Sequence, residues 1–206
     1  MSERKPDVRR ALMRAGLRTF CREGYESSTT EQIRSAANVS NGSFFHFFPT
    51  KRALAAAVYI DALRNYHQHL LKPLKQQPSA ATGISQLIAG HLDWVTSHRS
   101  QAFFLFDQTR ADWLGDIRPE QGAANLELRT ELEAWRAQLV ARRQLRPLPA
   151  ELFFSQLIGP AQIFCRAWLS GRSRTNPKMQ QDSLVDCALR ALLPQSALRQ
   201  SKWRGT

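Results

Sequence analysis

A chain of 206 residues, 43% of them hydrophobic, can bury a real core, and a 22% share of charged residues is not the composition of a disordered chain. The net charge of +12 favours a polyanionic partner, either nucleic acid or an anionic membrane surface. The longest apolar run, Ala53 to Ile60, is far short of the ~20 residues that cross a bilayer, and no apolar segment follows the charged N-terminus, so neither a membrane span nor a secretory signal is expected.

In chain order, the first helix is expected over Asp7 to Arg22. Val8, Leu12, Ala15, Leu17 and Phe20 form its apolar side, and arginines 9, 10, 14, 18 and 22 occupy much of the other. Gly24 suits a left-handed helix stop. Two short helices fit between Thr29 and Phe48 and are separated by Asn38. Pro49 breaks the chain, and a longer helix runs from Thr50 to about Leu71. Pro73 and Pro78 bracket a linker. Further helices fit Ala80 to His98, Ser100 to Ala111, Ala123 to Arg143, Pro149 to Ser170 and Pro177 to Leu193. Breaks fall at Gly115 and Pro119, at Pro147 and Pro149, and at Gly171, Asn176 and Pro177. No strand and no internal repeat is visible. The fold class is therefore all-α, an array of antiparallel helices with short connections.

The segment from Thr29 to Phe48 carries the strongest signal. Thr29 caps a helix, with Gln32 where a capping-box partner belongs. Ile33 with Ala36 or Ala37 gives that helix a buried side. Asn38 tolerates the positive φ of a tight turn, and Val39 plugs it. Ser40 caps the next helix, which presents Asn41, Gly42 and Ser43 in its first turn. Small residues there let the backbone come close to a major groove, and Asn41 and Ser43 can reach base edges. The first 55 residues hold ten Lys/Arg against five Asp/Glu, so basic charge is denser toward the N-terminus without being confined to it.

Residues 10 to 54 resemble the tetracycline-repressor (TetR) family. The likeness rests on Thr19-Phe20, Gly24-Tyr25, Thr29-Thr30, Ile33, Ala37, Val39-Ser40, Gly42-Ser43, Phe48, Lys51 and Leu54 at their spacings. The chain departs from the family pattern at Asn38 (for Gly), Arg34 (for Ala), Phe45 (for Tyr) and Phe47 (for His). Tyr donates a hydrogen bond to a phosphate and Phe cannot, although His46 stands next to Phe45. The resemblance implies a three-helix helix-turn-helix DNA-binding domain over residues 1–52. It further implies a larger helical bundle over residues 53–206 that senses a ligand and dimerises. It implies that Thr30, His46 and Lys51 meet phosphates, with Ser40 and Phe45 beside them. Asn41, Gly42 and Ser43 would face bases. Capping alone accounts equally well for Thr29-Thr30.

For the second domain the resemblance implies an effector cavity. The candidates are His91, Trp94, Phe103, Gln108, Trp113, Trp135, Phe164 and Trp168, with Gln162 as a further polar group; for any single aromatic the plain reading is ordinary core. Leu157, Gly159, Phe164 and Trp168 on one helix, with Leu184 and Cys187 on the next, are the expected dimer interface, a four-helix bundle between two copies. No phosphate loop, no Gly-x-Ser-x-Gly and no His-Glu-x-x-His is present, and His67 and His69 lie two apart on a helix and so face different ways. No catalytic residue, metal or cofactor is expected. Cys21, Cys165 and Cys187 are odd in number and widely spaced, as in a reduced cytoplasmic protein. The expectation is a ligand-responsive regulator, a repressor, that binds palindromic double-stranded operator DNA as a homodimer, is released by a small effector and has no membrane partner. The alternatives are a helix-turn-helix protein with no effector, controlled by a protein partner or by abundance, and a membrane-surface protein.

Overall fold

The computed structural model describes residues 4–107 and 112–196. Gln108, an expected ligand contact, lies outside them. The helices are α1 (Arg4–Glu23), α2 (Thr30–Ala36), α3 (Asn41–Phe47), α4 (Lys51–Leu71), α5 (Ala80–Ser97), α6 (Arg99–Asp107), α7 (Arg118–Ala141), α8 (Ala150–Leu169) and α9 (Gln181–Leu192). Short 3-10 turns cover Lys72–Gln76, Asp112–Ile117 and Pro177–Gln180, and the described residues contain no strand. The fold is all-helical.

Among the boundaries that differ from the pattern reading, two have a local cause. α7 starts at Arg118, five residues before the expected Ala123. Pro119 does not interrupt it, because the amides of a helix's first turn have no partner inside the helix and a missing one costs nothing there. The last segment opens as a 3-10 turn behind Asn176, whose side chain accepts from the Lys178 amide at 3.0 Å, and becomes α-helical only at Gln181.

The chain divides into two compact units. One takes the residues up to Arg64 together with Ser100–Gly122; the other takes Asn65–Arg99 and the chain from Ala123 onward. The division does not fall at residues 52/53. The core of the first unit, around Leu12, Phe20, Ile33, Phe44 and Leu54, is completed by side chains from far along the sequence. Phe104 stacks on Phe20 at 5.4 Å and on Trp113 at 5.9 Å between ring centroids. Arg52 holds the Asp112–Ile117 turn, donating to the Asp116 carboxylate at 2.9 Å and to the Asp112 carbonyl at 3.1 Å. Hydropathy along the chain carries no trace of such distant partners.

In the second unit α5, α8 and α9 pack against one another. α5 is apolar on most of its circumference, with Ile84, Leu87, Ile88, Leu92, Trp94 and Val95 all buried. Gly83 lets α7 come close, since a Cβ there would collide with the indole of Trp135. Leu157 is only 4% exposed, so it belongs to the inner face of α8 and not to the outward stripe expected for a dimer.

Candidate functional site

The first unit builds a rigid, doubly capped pair of short helices. Thr29 Oγ1 accepts from the Gln32 amide at 3.1 Å, and Gln32 Oε1 accepts from the Thr29 amide at 2.8 Å. This reciprocal box satisfies donors that a helix start leaves unpaired. Asn38 takes φ 54°, and the amides of Asn38 and Val39 close the turn onto the Ser35 and Arg34 carbonyls. Arg34 is half-buried, and its guanidinium pairs with Glu31 at 3.3 Å, which gives the charge a partner at that position.

Ser40 caps α3 by accepting from the Ser43 amide at 3.2 Å, and its hydroxyl donates to Ser43 Oγ at 3.0 Å. Phe44 is fully buried and anchors α3. Asn41, Gly42, Phe45 and His46 are exposed, and the space beyond Gly42 is open. Thr30 is half-buried. Lys51 does not extend into solvent: its ammonium donates to the carbonyls of Tyr25 at 2.7 Å, Ser28 at 2.8 Å and Glu26 at 3.2 Å, and it lies 4.5 Å from the centre of the Tyr25 ring. Three convergent carbonyls act as a cradle for one cation and bind the start of α4 to the loop after α1. The Gly24-Tyr25 and Lys51 signals of the sequence thus belong to one structural device.

Residues 12–58 match the family described as "Bacterial regulatory proteins, tetR family". This N-terminal segment is thus similar to the N-terminal domain of that family. Two curated relatives each align over about a third of the chain. The transcriptional regulator AcuR of Cereibacter sphaeroides is 39% identical over 61 residues, 30% of this chain and 27% of that protein. The HTH-type transcriptional regulator RutR of Escherichia coli K12 is 37% identical over 67 residues, 32% of this chain and 30% of that protein. The matches therefore span less than a third of either relative. Solved structures extend the likeness of fold to nearly the whole chain. A TetR family transcription regulator from Marinobacter aquaeolei VT8 superimposes with a TM-score of 0.78 at 16% identity, covering 94% of this chain and 99% of that one. The regulator FadR from Bacillus subtilis, solved in complex with stearoyl-CoA, gives 0.72 at 12% identity, covering 87% and 96%.

The second unit contains an apolar cavity of about 380 Å³ between α4, α5, α7 and α8. Tyr66, Leu70, Leu87, Leu132, Phe154 and Leu157 line it, with Gln162 adding an amide and Arg129 and Glu151 adding opposite charges. Of the expected ligand residues, Gln162 lines this cavity, and the other described ones are placed elsewhere. Phe103 and Trp113 belong to the first unit, where Trp113 is core beside Phe104. Trp94 is buried and donates to Asn65 Oδ1 at 2.7 Å. Trp135 donates to the Pro78 carbonyl at 3.1 Å, and its ring faces a separate, more polar groove. Phe164 and Trp168 are half-buried on α8, and the Arg99 guanidinium lies 4.4 Å over the Trp168 ring. His91 acts at one remove, its Nδ1 lying 2.8 Å from the hydroxyl of the cavity-lining Tyr66. Tyr66, Leu70, Leu87 and Leu132 escaped the pattern reading because periodicity reports which side of a helix faces inward, not where inward side chains leave a gap.

Burial pushes the His91 pKa down from 6.5 to about 4, only partly opposed by the Ala161 carbonyl. The unfolded chain therefore takes up a proton below pH 6.5 that the native ring refuses. The stability contribution is complete above pH 6.5 and is lost as pH falls toward about 4. His67, also lowered by burial, acts in the same direction. Up to about 3 kcal/mol is expected to disappear across that window. Thermal midpoints measured at a series of pH values should fall through it, and the fall should be shallower in His91→Gln. Midpoints that stay flat from pH 6.5 to 4 would contradict a buried neutral imidazole.

Proposed function

We propose that the chain is a ligand-responsive transcriptional repressor that grips a palindromic operator as a homodimer and releases it when a small apolar or amphipathic molecule fills the cavity of the second unit. The observation that carries this reading is the doubly capped α2–α3 pair, which leaves a face of α3 with Asn41, Phe45 and His46 exposed beside open space at Gly42. Such a face suits a major groove, and the +12 net charge suits the phosphates around it. One helix-turn-helix reads too few base pairs to find a site in a genome, and a twofold copy doubles the site.

The support for pairing comes from α8 and α9. Ile163 is 71% exposed and Leu152 is exposed. Gly159 has open space beyond its Cα, so a second helix can approach there. Phe164, Trp168 and Leu184 are half-buried and Cys187 is exposed beside them. Apolar side chains left outside in this way favour burial against a like helix pair. The effector reading is supported by the cavity, whose size lies within the roughly 300–1,000 Å³ of small-molecule sites. Tyr66 and Leu70, two of its wall residues, stand on the same continuous helix that begins at Lys51. For release, the effector must favour one conformation over another, and operator DNA must then weaken effector binding by the factor that effector weakens DNA binding.

The test is Ile163→Asp, a surface change that the fold should tolerate. Sedimentation should show the wild type as a dimer and the variant as a monomer, with specific duplex binding lost and the thermal midpoint little changed. A wild type that sediments as a monomer while binding a specific duplex would refute the dimeric operator reading.

A further inference from the structure

α3 has seven residues, and its structure sorts them by what they are free to do. Phe44 is buried, Ser43 is tied to Ser40, and Phe47 is half-buried against His46, with ring centroids 5.1 Å apart. Asn41 and Phe45 are both exposed and stand four residues apart, so they share one face of the helix. Their separation along the axis is about 6 Å, close to the rise of two base-pair steps at about 3.4 Å each. Phe45 is 45% exposed, the largest apolar group that α3 leaves in water, and its ring is held edge-on by Phe44 at 5.2 Å. A phenyl ring has no hydrogen bond to offer a base edge or a phosphate. In the major groove the apolar feature open to it is the C5-methyl of thymine, while a carboxamide matches the N6/N7 edge of adenine.

We propose that α3 reads A·T pairs through this face: Phe45 packs on a thymine methyl, and Asn41 takes an adenine about two base pairs away. Phe45 thereby becomes a specificity-determining residue. The inference rests on the DNA-binding reading above, and the experiment separates the two.

The full-length chain is used to enrich its tightest duplexes from a random-sequence pool. The enriched half-site is then resynthesised with uracil replacing each thymine in turn, which removes one methyl group and nothing else. One thymine per half-site should matter, at about fourfold in affinity, the worth of a single buried methyl group. Phe45→Ala should bind the thymine and uracil duplexes alike, and Asn41→Ala should lose the preference for adenine near that thymine. Enrichment of a duplex that tolerates uracil at every position overturns the inference and leaves the DNA-binding reading standing. So does a thymine effect that persists undiminished in Phe45→Ala. If no duplex is enriched over the pool, the DNA-binding reading falls and the inference falls with it.

Discussion

Leu157→Asp should unfold the second unit rather than release monomers. Leu157 is buried on the inner face of α8, at the wall of the apolar cavity. Truncating a buried leucine costs about 2–5 kcal/mol, and a carboxylate among Leu70, Leu87 and Leu132 adds a desolvation penalty. A loss of at least about 4 kcal/mol would consume much of the roughly 5–15 kcal/mol that holds a domain together. In a chain of this size it should lower the thermal midpoint by about 8–16 °C or abolish the transition. Leu157→Met, which conserves volume, should cost less than about 1.5 kcal/mol. An aspartate variant that keeps the wild-type midpoint and sediments as a folded monomer would return Leu157 to the outer face. The contrast with Ile163→Asp, on the same helix but outward, makes the assignment of faces testable within one protein.

The second large effect is expected at Lys51. Its ammonium serves three backbone carbonyls of the loop after α1 and the face of Tyr25. Hydrogen bonds to a charged group contribute about 1.5–3 kcal/mol, and carbonyls stripped of their donor inside a half-buried site remain poorly solvated. Lys51→Met should therefore cost the first unit about 2–4 kcal/mol. Faster amide hydrogen exchange should follow around the Tyr25–Ser28 loop and α2. Lys51→Arg should not restore the loss, because a planar guanidinium cannot aim three donors at one converging cradle. The salt dependence of DNA binding separates this role from a phosphate contact. A lysine on a phosphate, when removed, flattens the slope by about one unit and leaves stability alone. The structure leads to the opposite pattern: lost stability with an unchanged slope. A flattened slope at full stability would show that Lys51 leaves its cradle for DNA.

Both predictions turn on information of a kind that local sequence does not hold. What the sequence by itself determined is short-range. The helices follow from apolar spacing, the α2–α3 turn from Thr29, Gln32, Asn38 and Ser40, and the family resemblance from residues 10 to 54. Each signal acts within one or two helical turns, where capping bonds and backbone preferences are decided by neighbours in the chain. The tertiary structure decided which distant groups meet. It carried Trp113 and Phe104 into the core of the first unit, turned Leu157 inward and left Ile163 outside. It gathered three carbonyls onto Lys51, and it opened a cavity among leucines that pattern reading treats as filler. These outcomes depend on how whole helical faces fit, which is a property of side-chain volumes packed in three dimensions and not of their order along the chain.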